Sequence, residues 1–173
     1  GGNASVPSGT YAFRLARKLG YDLINLGCAG SCQMDEAMAS YIGSRDDWDM
    51  ALFELGVNVI ETWDGDRLYG KALAFLAAVL EARPYQQVFV TDMYYNRYDF
   101  EGDKRAARFR GAIQRCAAVL SGQYGGRLHY INGLKAMDTP RGLSSDGLHP
   151  SDLGHEMIAE RLAGYMAEKK EVE

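Results

Sequence analysis

The sequence predicts an α/β domain in which helices cover both faces of a parallel sheet. Short apolar runs ending in glycine or a polar residue alternate along the chain with longer segments of helical periodicity. Strands that alternate with helices of this length form parallel sheets. With 173 residues, 47% of them hydrophobic, the chain is long enough for one core, and we expect residues 1–173 to form a single domain.

The order of the predicted elements follows from these runs. The predicted strands are residues 22–27, 50–56, 87–92 and 127–132, and the predicted helices are about 8–19, 34–42, 66–82, 104–120 and 151–168. Ser8 is predicted to cap the first helix and Gly20 to end it. In parallel sheets of this kind, ligands bind beyond the carboxyl ends of the strands. The polar motifs of this sequence all come after a strand or lie in the last long loop.

Composition and charge exclude several classes of function. The net charge of −4 argues against a nucleic-acid partner, and we predict that the basic run Lys104, Arg105, Arg108 and Arg110 is the solvated face of a helix. No stretch approaches the roughly 18 apolar residues of a membrane span. Cys28, Cys32 and Cys116 are an odd set without framework spacing, so we expect no disulfide scaffold. The three residues between Cys28 and Cys32 are tolerable for a metal site, but no paired His or Cys cluster follows, so we expect no metal.

The strongest chemical motif is Asp146-Gly-Leu-His149-Pro150 in the last loop. A carboxylate three residues before a histidine can accept the imidazole Nδ1 proton, which leaves Nε2 as a general base. The alternative is a surface loop with an incidental histidine, but the adjoining Pro-Ser-Asp-Leu-Gly-His sequence favours the catalytic interpretation. Asp152 and His155 fall in the next helix and are predicted to be exposed or capping residues.

Two weaker motifs come after the first two predicted strands. In the first, glycines at 27 and 30 let backbone N–H groups point into a pocket, which would suit an oxyanion or a phosphate. In the second, Asn58 in Glu-Leu-Gly-Val-Asn could offer a side-chain N–H to a developing oxyanion. Either motif alone is also what an ordinary turn requires.

Together these motifs resemble the SGNH (GDSL-like) hydrolase superfamily over nearly the whole chain. The resemblance implies a three-layer α/β/α, flavodoxin-like fold. It also implies that Gly30 is the oxyanion glycine of the second block and Asn58 the asparagine of the third, with Val59 standing where the family commonly has Asp. Asp146 and His149 match the Asp-x-x-His of the fourth block, which is the most specific match.

This sequence departs from the family's pattern at the first block, which normally carries the nucleophilic serine. Residues 1–11 resemble the segment just after the nucleophile in the branch that reads Gly-x-Ser-Ile-Thr-x-Gly, so the alignment puts the serine about four residues upstream of Gly1. The first strand would then be absent as well, and we expect a gap for it between the strands at 22–27 and 50–56. Ser5, Ser8 and Ser31 are poor substitutes: the first two lie too far along the loop, and Ser31 lies on the wrong side of the pocket.

The resemblance implies a serine-type hydrolase of carboxylic esters, which needs no metal and no organic cofactor. The family's substrates include short acyl and acetylated carbohydrate esters, lysophospholipids and thioesters, and the partner would be such a small-molecule or carbohydrate ester. Residues 93–100 and Trp63 could line a sugar pocket or merely pack over the strand ends. Two alternatives remain: a non-catalytic carbohydrate- or acyl-binding relative, and a flavodoxin-like domain that binds phosphate at residues 27–31.

Overall fold

A computed structural model describes residues 3–170, with side chains through Glu168. Gly1 and Gly2, which open the aligned first-block loop, lie outside the described residues. In chain order the elements are α1 (Tyr11–Leu19), α2 (Glu36–Ser44), β1 (Met50–Glu54), α3 (Gly65–Ala82), β2 (Gln87–Thr91), α4 (Arg97–Phe100), α5 (Lys104–Tyr124), β3 (Leu128–Ile131), α6 (Gly133–Ala136) and α7 (Asp152–Lys170).

The described residues divide into two compact units. Within the described residues, the first unit draws on 3–29, 94–102 and 133–170, and so holds α1, α4, α6 and α7. The second draws on Gly30–Met93 and Asp103–Asn132, and holds the three strands with α2, α3 and α5. In the first unit α1 packs against α7, while in the second unit α3 packs against α2 and α5.

The sheet of the second unit is parallel, as predicted. Its strand order is β1-β2-β3, with Met50 opposite Gln87 in one ladder and Val88 opposite Leu128 in the other. Glu54, Thr91 and Ile131 therefore end the three strands at the same edge. Central strand β2 is the most buried, because it has a neighbour on each side.

Three of the four predicted strands are confirmed, and the fourth is not. Residues 22–27 form no strand, and Leu23, Ile24 and Leu26 are 40%, 43% and 37% exposed. A strand is defined by its main-chain pairing, and within residues 3–170 this segment joins no ladder. The apolar pattern of these residues is typical of a buried strand, but a strand also needs a neighbouring strand with which its main chain can pair. The expected gap beside it stays a prediction.

The first helix begins later than predicted. Thr10, not Ser8, is its N-cap, because the Thr10 side chain accepts a hydrogen bond from Phe13 N–H at 3.3 Å. Ser8 lies instead in a short 3₁₀ turn at Pro7–Gly9. The predicted end is confirmed: Gly20 closes the helix with φ of 75°, a left-handed conformation that glycine adopts at little cost.

His155 is not exposed, and its capping contact is with a helix other than its own. This residue is fully buried in α7, where its Nδ1 accepts a hydrogen bond from Tyr11 N–H at 3.1 Å and its ring stacks on the Tyr11 ring. It thereby satisfies one of the backbone donors that a helix leaves unpaired at its N-terminus. Asp152 is exposed, as expected, but it binds a distant segment: its carboxylate accepts hydrogen bonds from Ser5 N–H and Ser5 Oγ.

One member of the basic run on α5 is also buried. Arg110 is 8% exposed, and its Nε donates to the Met93 carbonyl at 2.9 Å and lies 3.8 Å from Asp92 Oδ1. Asp92 is fully buried just beyond β2 and accepts a hydrogen bond from the Tyr130 hydroxyl of β3. The predicted solvated face therefore excludes Arg110, which stabilises a buried carboxylate.

Candidate active site

The loop that carries Asp146 and His149 is closed by its own backbone. Leu143 and Pro150 form an antiparallel bridge, and Ser144 N–H donates to the His149 carbonyl at 2.8 Å. At its tip Gly147 adopts φ of 68°, a conformation that would strain a residue with a side chain. The Gly147 carbonyl accepts the N–H of Arg97, from α4, at 2.6 Å. The loop therefore holds its shape through contacts within the first unit.

The hydrogen bond expected between the two motif residues is present. His149 Nδ1 lies 2.7 Å from Asp146 Oδ2, within the predicted range of about 2.6–3.2 Å. A carboxylate acceptor assigns the proton to Nδ1. Across the described residues, no hydrogen bond engages Nε2. The histidine side chain is 40% exposed.

Asp146 is held by donors on both of its oxygens. Oδ1 accepts from Leu148 N–H at 2.8 Å, from His149 N–H at 2.9 Å and from Ser144 Oγ at 2.8 Å. Partial desolvation acts to raise the pKa of Asp146, but these hydrogen bonds and that of the imidazole outweigh it and lower the pKa. The carboxylate therefore stays ionised beside the imidazole at neutral pH.

Two contacts of Asp146 were not predicted from the sequence. Ser144 lies only two residues away, and a serine in this position before a loop aspartate is a local pattern that could have been noticed. Asn3 lies 143 residues away, and its Nδ2 donates to Asp146 Oδ2 at 2.8 Å. No feature of the sequence near Asn3 indicates this contact, because only the fold brings the two segments together.

Gly30 and Asn58 both belong to the second unit. Gly30 has φ of 72° and is exposed. Asn58 lies after β1 in a short 3₁₀ turn, and its Oδ1 accepts Cys32 N–H at 3.3 Å. Because the carbonyl side of this amide is held by the backbone, the Nδ2 side remains available to donate. Val59 is 1% exposed and packs in the core, where the family's Asp would carry a charge.

The structure also shows the surroundings of Ser5, of the aromatic segment 93–100 and of Trp63. Ser5 Oγ donates to Asp152, which supports the view that Ser5 is not the nucleophile. In the aromatic segment, Met93, Tyr94 and Tyr98 are buried, whereas Phe100 is 76% exposed. The Trp63 ring is covered on one side by the Arg67 guanidinium, 4.5 Å from its centroid.

Neither a metal centre nor a membrane span is found in the described part of the chain. No group of three or more His, Cys, Asp or Glu side chains among residues 3–170 is placed to hold a metal ion. Desolvation, together with the nearby Glu54 charge, raises the pKa of the Cys32 thiol to about 11, so at neutral pH this thiol is neither a thiolate ligand nor an activated nucleophile. None of the described helices combines the length and apolar character needed to cross a bilayer.

Solved structures with this fold span most of the chain. The salicylyl-acyltransferase SsfX3 from a tetracycline biosynthetic pathway is 23% identical, with a TM-score of 0.84 over 99% of this chain and 52% of its own. A protein from Bacteroides ovatus classed as a GDSL-like lipase is 22% identical, with a TM-score of 0.82 over 98% of this chain and 50% of its own. The chain thus spans about half the length of these two proteins.

A third similar structure is nearly the same length as this chain. It is a carbohydrate esterase of family 3 from Talaromyces cellulolyticus, 15% identical, with a TM-score of 0.69 over 99% of this chain and 95% of its own. These likenesses establish the predicted α/β/α fold. No curated protein sequence matches the chain. The model of the GDSL-like lipase/acylhydrolase family matches residues 1–167, and the chain belongs to that family.

Proposed function

We propose that this chain supplies the acid–base half of a serine-type carboxylic ester hydrolase. The observation that carries the proposal is the Asp146–His149 pair, in which a 2.7 Å hydrogen bond to Nδ1 leaves Nε2 as the base. Membership of a family of lipases and acylhydrolases supports the same reaction class. A relative that only binds its ligand would have no need of an ionised carboxylate oriented on a partly exposed imidazole, so the non-catalytic alternative is not favoured.

The proposed reaction proceeds in two acyl-transfer steps. A serine hydroxyl attacks the ester carbonyl while His149 Nε2 takes its proton, and His149 then returns that proton to the leaving alcohol. Water repeats the sequence on the acyl-enzyme and releases the carboxylic acid. Asp146 orients the ring and stabilises the imidazolium in both steps. We propose the Gly30 N–H and the Asn58 side-chain amide as donors to the oxyanion.

We propose that the nucleophile precedes Gly1, as the first-block alignment implies. The contact of Ser5 with Asp152 supports this assignment. The 173-residue chain would then have a base and oxyanion donors but no oxygen nucleophile for them to activate. We also propose that the substrate is a short acyl ester or an acetylated carbohydrate. The likeness to a carbohydrate esterase supports a carbohydrate ester, and the likeness to a salicylyl-acyltransferase supports acyl-transfer chemistry.

Labelling with a fluorophosphonate tests the proposal directly, because the probe reacts only with an activated serine. A protein that includes the residues upstream of Gly1 should be labelled at one upstream serine and should hydrolyse p-nitrophenyl acetate. Its His149→Ala variant should show neither behaviour. The chain Gly1–Glu173 alone should hydrolyse the ester no faster than its own His149→Ala variant.

The result that contradicts the proposal is also specific. Phosphonate-sensitive turnover by Gly1–Glu173 alone would place the nucleophile among Ser5, Ser8 and Ser31, and the labelled peptide would identify it. A longer protein that is neither labelled nor active would favour the ligand-binding alternative. Replacing p-nitrophenyl acetate with an acetylated xylo-oligosaccharide, and measuring released acetate, tests the proposed substrate class.

A further inference from the structure

The amide of Asn3 joins two groups of the Asp146 loop. Its Nδ2 donates to Asp146 Oδ2 at 2.8 Å and to Ser144 Oγ at 2.9 Å. Ser144 Oγ in turn donates to Asp146 Oδ1 at 2.8 Å. One amide nitrogen has two hydrogens, so it can make both bonds at once. The three side chains therefore form a closed ring of hydrogen bonds around the carboxylate.

The ring includes Asp146 Oδ2, the oxygen that is hydrogen-bonded to His149. Asp146 Oδ2 accepts both from Asn3 and from His149 Nδ1. The backbone donors of the loop all reach the other oxygen, Oδ1. Among the described residues, Asn3 is thus the donor to Oδ2 besides the imidazole, and it helps to fix where this oxygen lies.

The backbone at Asn3 is also adapted to this contact. Asn3 has φ of 66°, in the left-handed region that asparagine tolerates better than most residues. The segment that carries it is tied down at two further points, by Ser5 N–H to Asp152 at 2.9 Å and by Tyr11 N–H to His155 at 3.1 Å. These ties hold the amide at the carboxylate, although Asn3 itself is exposed.

We propose that Asn3 is a positioning residue for the Asp146–His149 pair: its side-chain amide, together with Ser144, fixes the carboxylate that orients the imidazole. This inference rests on the proposed function for its consequence in catalysis, but the contact itself can be tested without turnover. Asn3 does not touch the reacting atoms, and it acts through Asp146.

The first test measures Asp146 in the chain Gly1–Glu173. Asn3→Gly removes the amide and keeps a residue that tolerates the left-handed backbone, while Asn3→Asp puts a second carboxylate against Oδ2. Ser5→Ala is the matched control, because it removes another tie of the same segment without touching Asp146. In carboxyl ¹³C NMR titrations, with Asp146→Asn used to assign the resonance, Asn3→Gly should raise the pKa of Asp146 by about half a unit or more and Asn3→Asp by more. Ser5→Ala should leave it unchanged.

The second test measures kinetics in the protein that includes the residues upstream of Gly1. Asn3→Gly should lower kcat several-fold at unchanged KM, and it should move the acidic limb of the kcat/KM profile to higher pH. Unchanged Asp146 titration in Asn3→Gly, or an equal change in Ser5→Ala, would overturn the inference. So would an effect confined to KM. If the parent protein has no esterase activity, the proposed function fails and the titration alone decides the role of Asn3.

Discussion

Two carboxyl groups of this molecule, one in each unit, have pKa values that are shifted in opposite directions. Asp146 in the first unit is 41% exposed, accepts hydrogen bonds on both oxygens and has a lowered pKa. Glu54 in the second unit ends β1, and desolvation, with the Asp92 charge adding to it, raises its pKa to about 7. Within the described residues, no hydrogen bond donor reaches the Glu54 side chain. Burial without a donor therefore raises the pKa of Glu54, whereas partial exposure with convergent donors lowers the pKa of Asp146.

Under the proposed function, the residues around Asp146 serve catalysis, whereas those around Asp92 serve stability. The donors around Asp146 hold a charged group where its partner imidazole can use it. In the second unit, the Arg110 guanidinium and the Tyr130 hydroxyl stabilise the fully buried Asp92 carboxylate. Substitutions in the first set should therefore change activity most, and those in the second set should change folding most.

The largest expected effect concerns the pair itself. In the protein that includes the residues upstream of Gly1, His149→Ala should lower kcat/KM by about 10⁴-fold or more, because triad members act as a unit. Asp146→Asn should cost less, since it leaves the base in place and removes its orientation. Both losses are measured with p-nitrophenyl acetate under steady-state conditions. Equal activity in Asp146→Asn and the parent would show that the 2.7 Å contact has no catalytic role.

The next effect lies in the buried network of the second unit. Arg110→Met removes the cation beside a fully buried carboxylate, so the free energy of unfolding should fall by about 3 kcal/mol. Arg108→Met, on the exposed side of the same helix, should change it by less than about 0.5 kcal/mol. Urea denaturation followed by circular dichroism measures both. Similar losses in the two variants would place Arg110 on the solvated face after all.

Glu54 should make the free energy of unfolding fall as the pH rises. Its pKa is about 7 in the folded chain against 4.5 as the ordinary value, so between these values the folded state binds more protons than the unfolded state. The contribution of Glu54 to the free energy of unfolding is therefore fully present below about pH 4.5 and is lost as the pH rises to about 7. Between these values the free energy of unfolding should fall by up to about 1.4 kcal/mol per pH unit.

Glu54→Gln isolates this dependence. The substitution removes the titrating group and keeps the shape of the side chain. We expect the parent and variant to have similar unfolding free energies near pH 4.5, and the variant to be the more stable above pH 7. Urea titrations at a series of pH values give the difference curve. A difference that does not change with pH would mean that Glu54 is well solvated in the folded chain.

The smallest effect is the opposite slope at Asp146. Its pKa is lowered on folding, so its contribution to stability is present above its ordinary pKa of 3.8 and is lost as the pH falls below it. Solvent screens this partly exposed group, so the slope should be shallow. Ser144→Ala should make it shallower still, because one donor to Oδ1 is removed. Acid unfolding curves of the two proteins measure the change, and a steeper curve for Ser144→Ala would contradict it.

The sequence by itself determined the elements whose patterns are local. Three strands, the long helices and the end of α1 at Gly20 follow from apolar periodicity and from glycine, and the Asp146–His149 contact follows from a spacing of three residues on one loop. Residues 22–27 have the same kind of pattern, yet they form no strand in the described residues. A strand depends on a neighbour as well as on its own sequence.

Only the tertiary structure decided the contacts between distant segments. His155 and Arg110 looked like solvated helix residues, because a polar side chain in a helix gives no sign of a buried partner elsewhere in the chain. Asn3 and Asp146 are separated by 143 residues, and neither has a local feature that indicates the other. Periodicity and spacing report on neighbours within a few turns. Hydrogen bonds between remote side chains depend on how the folded segments pack against each other. No local sequence pattern indicates that packing.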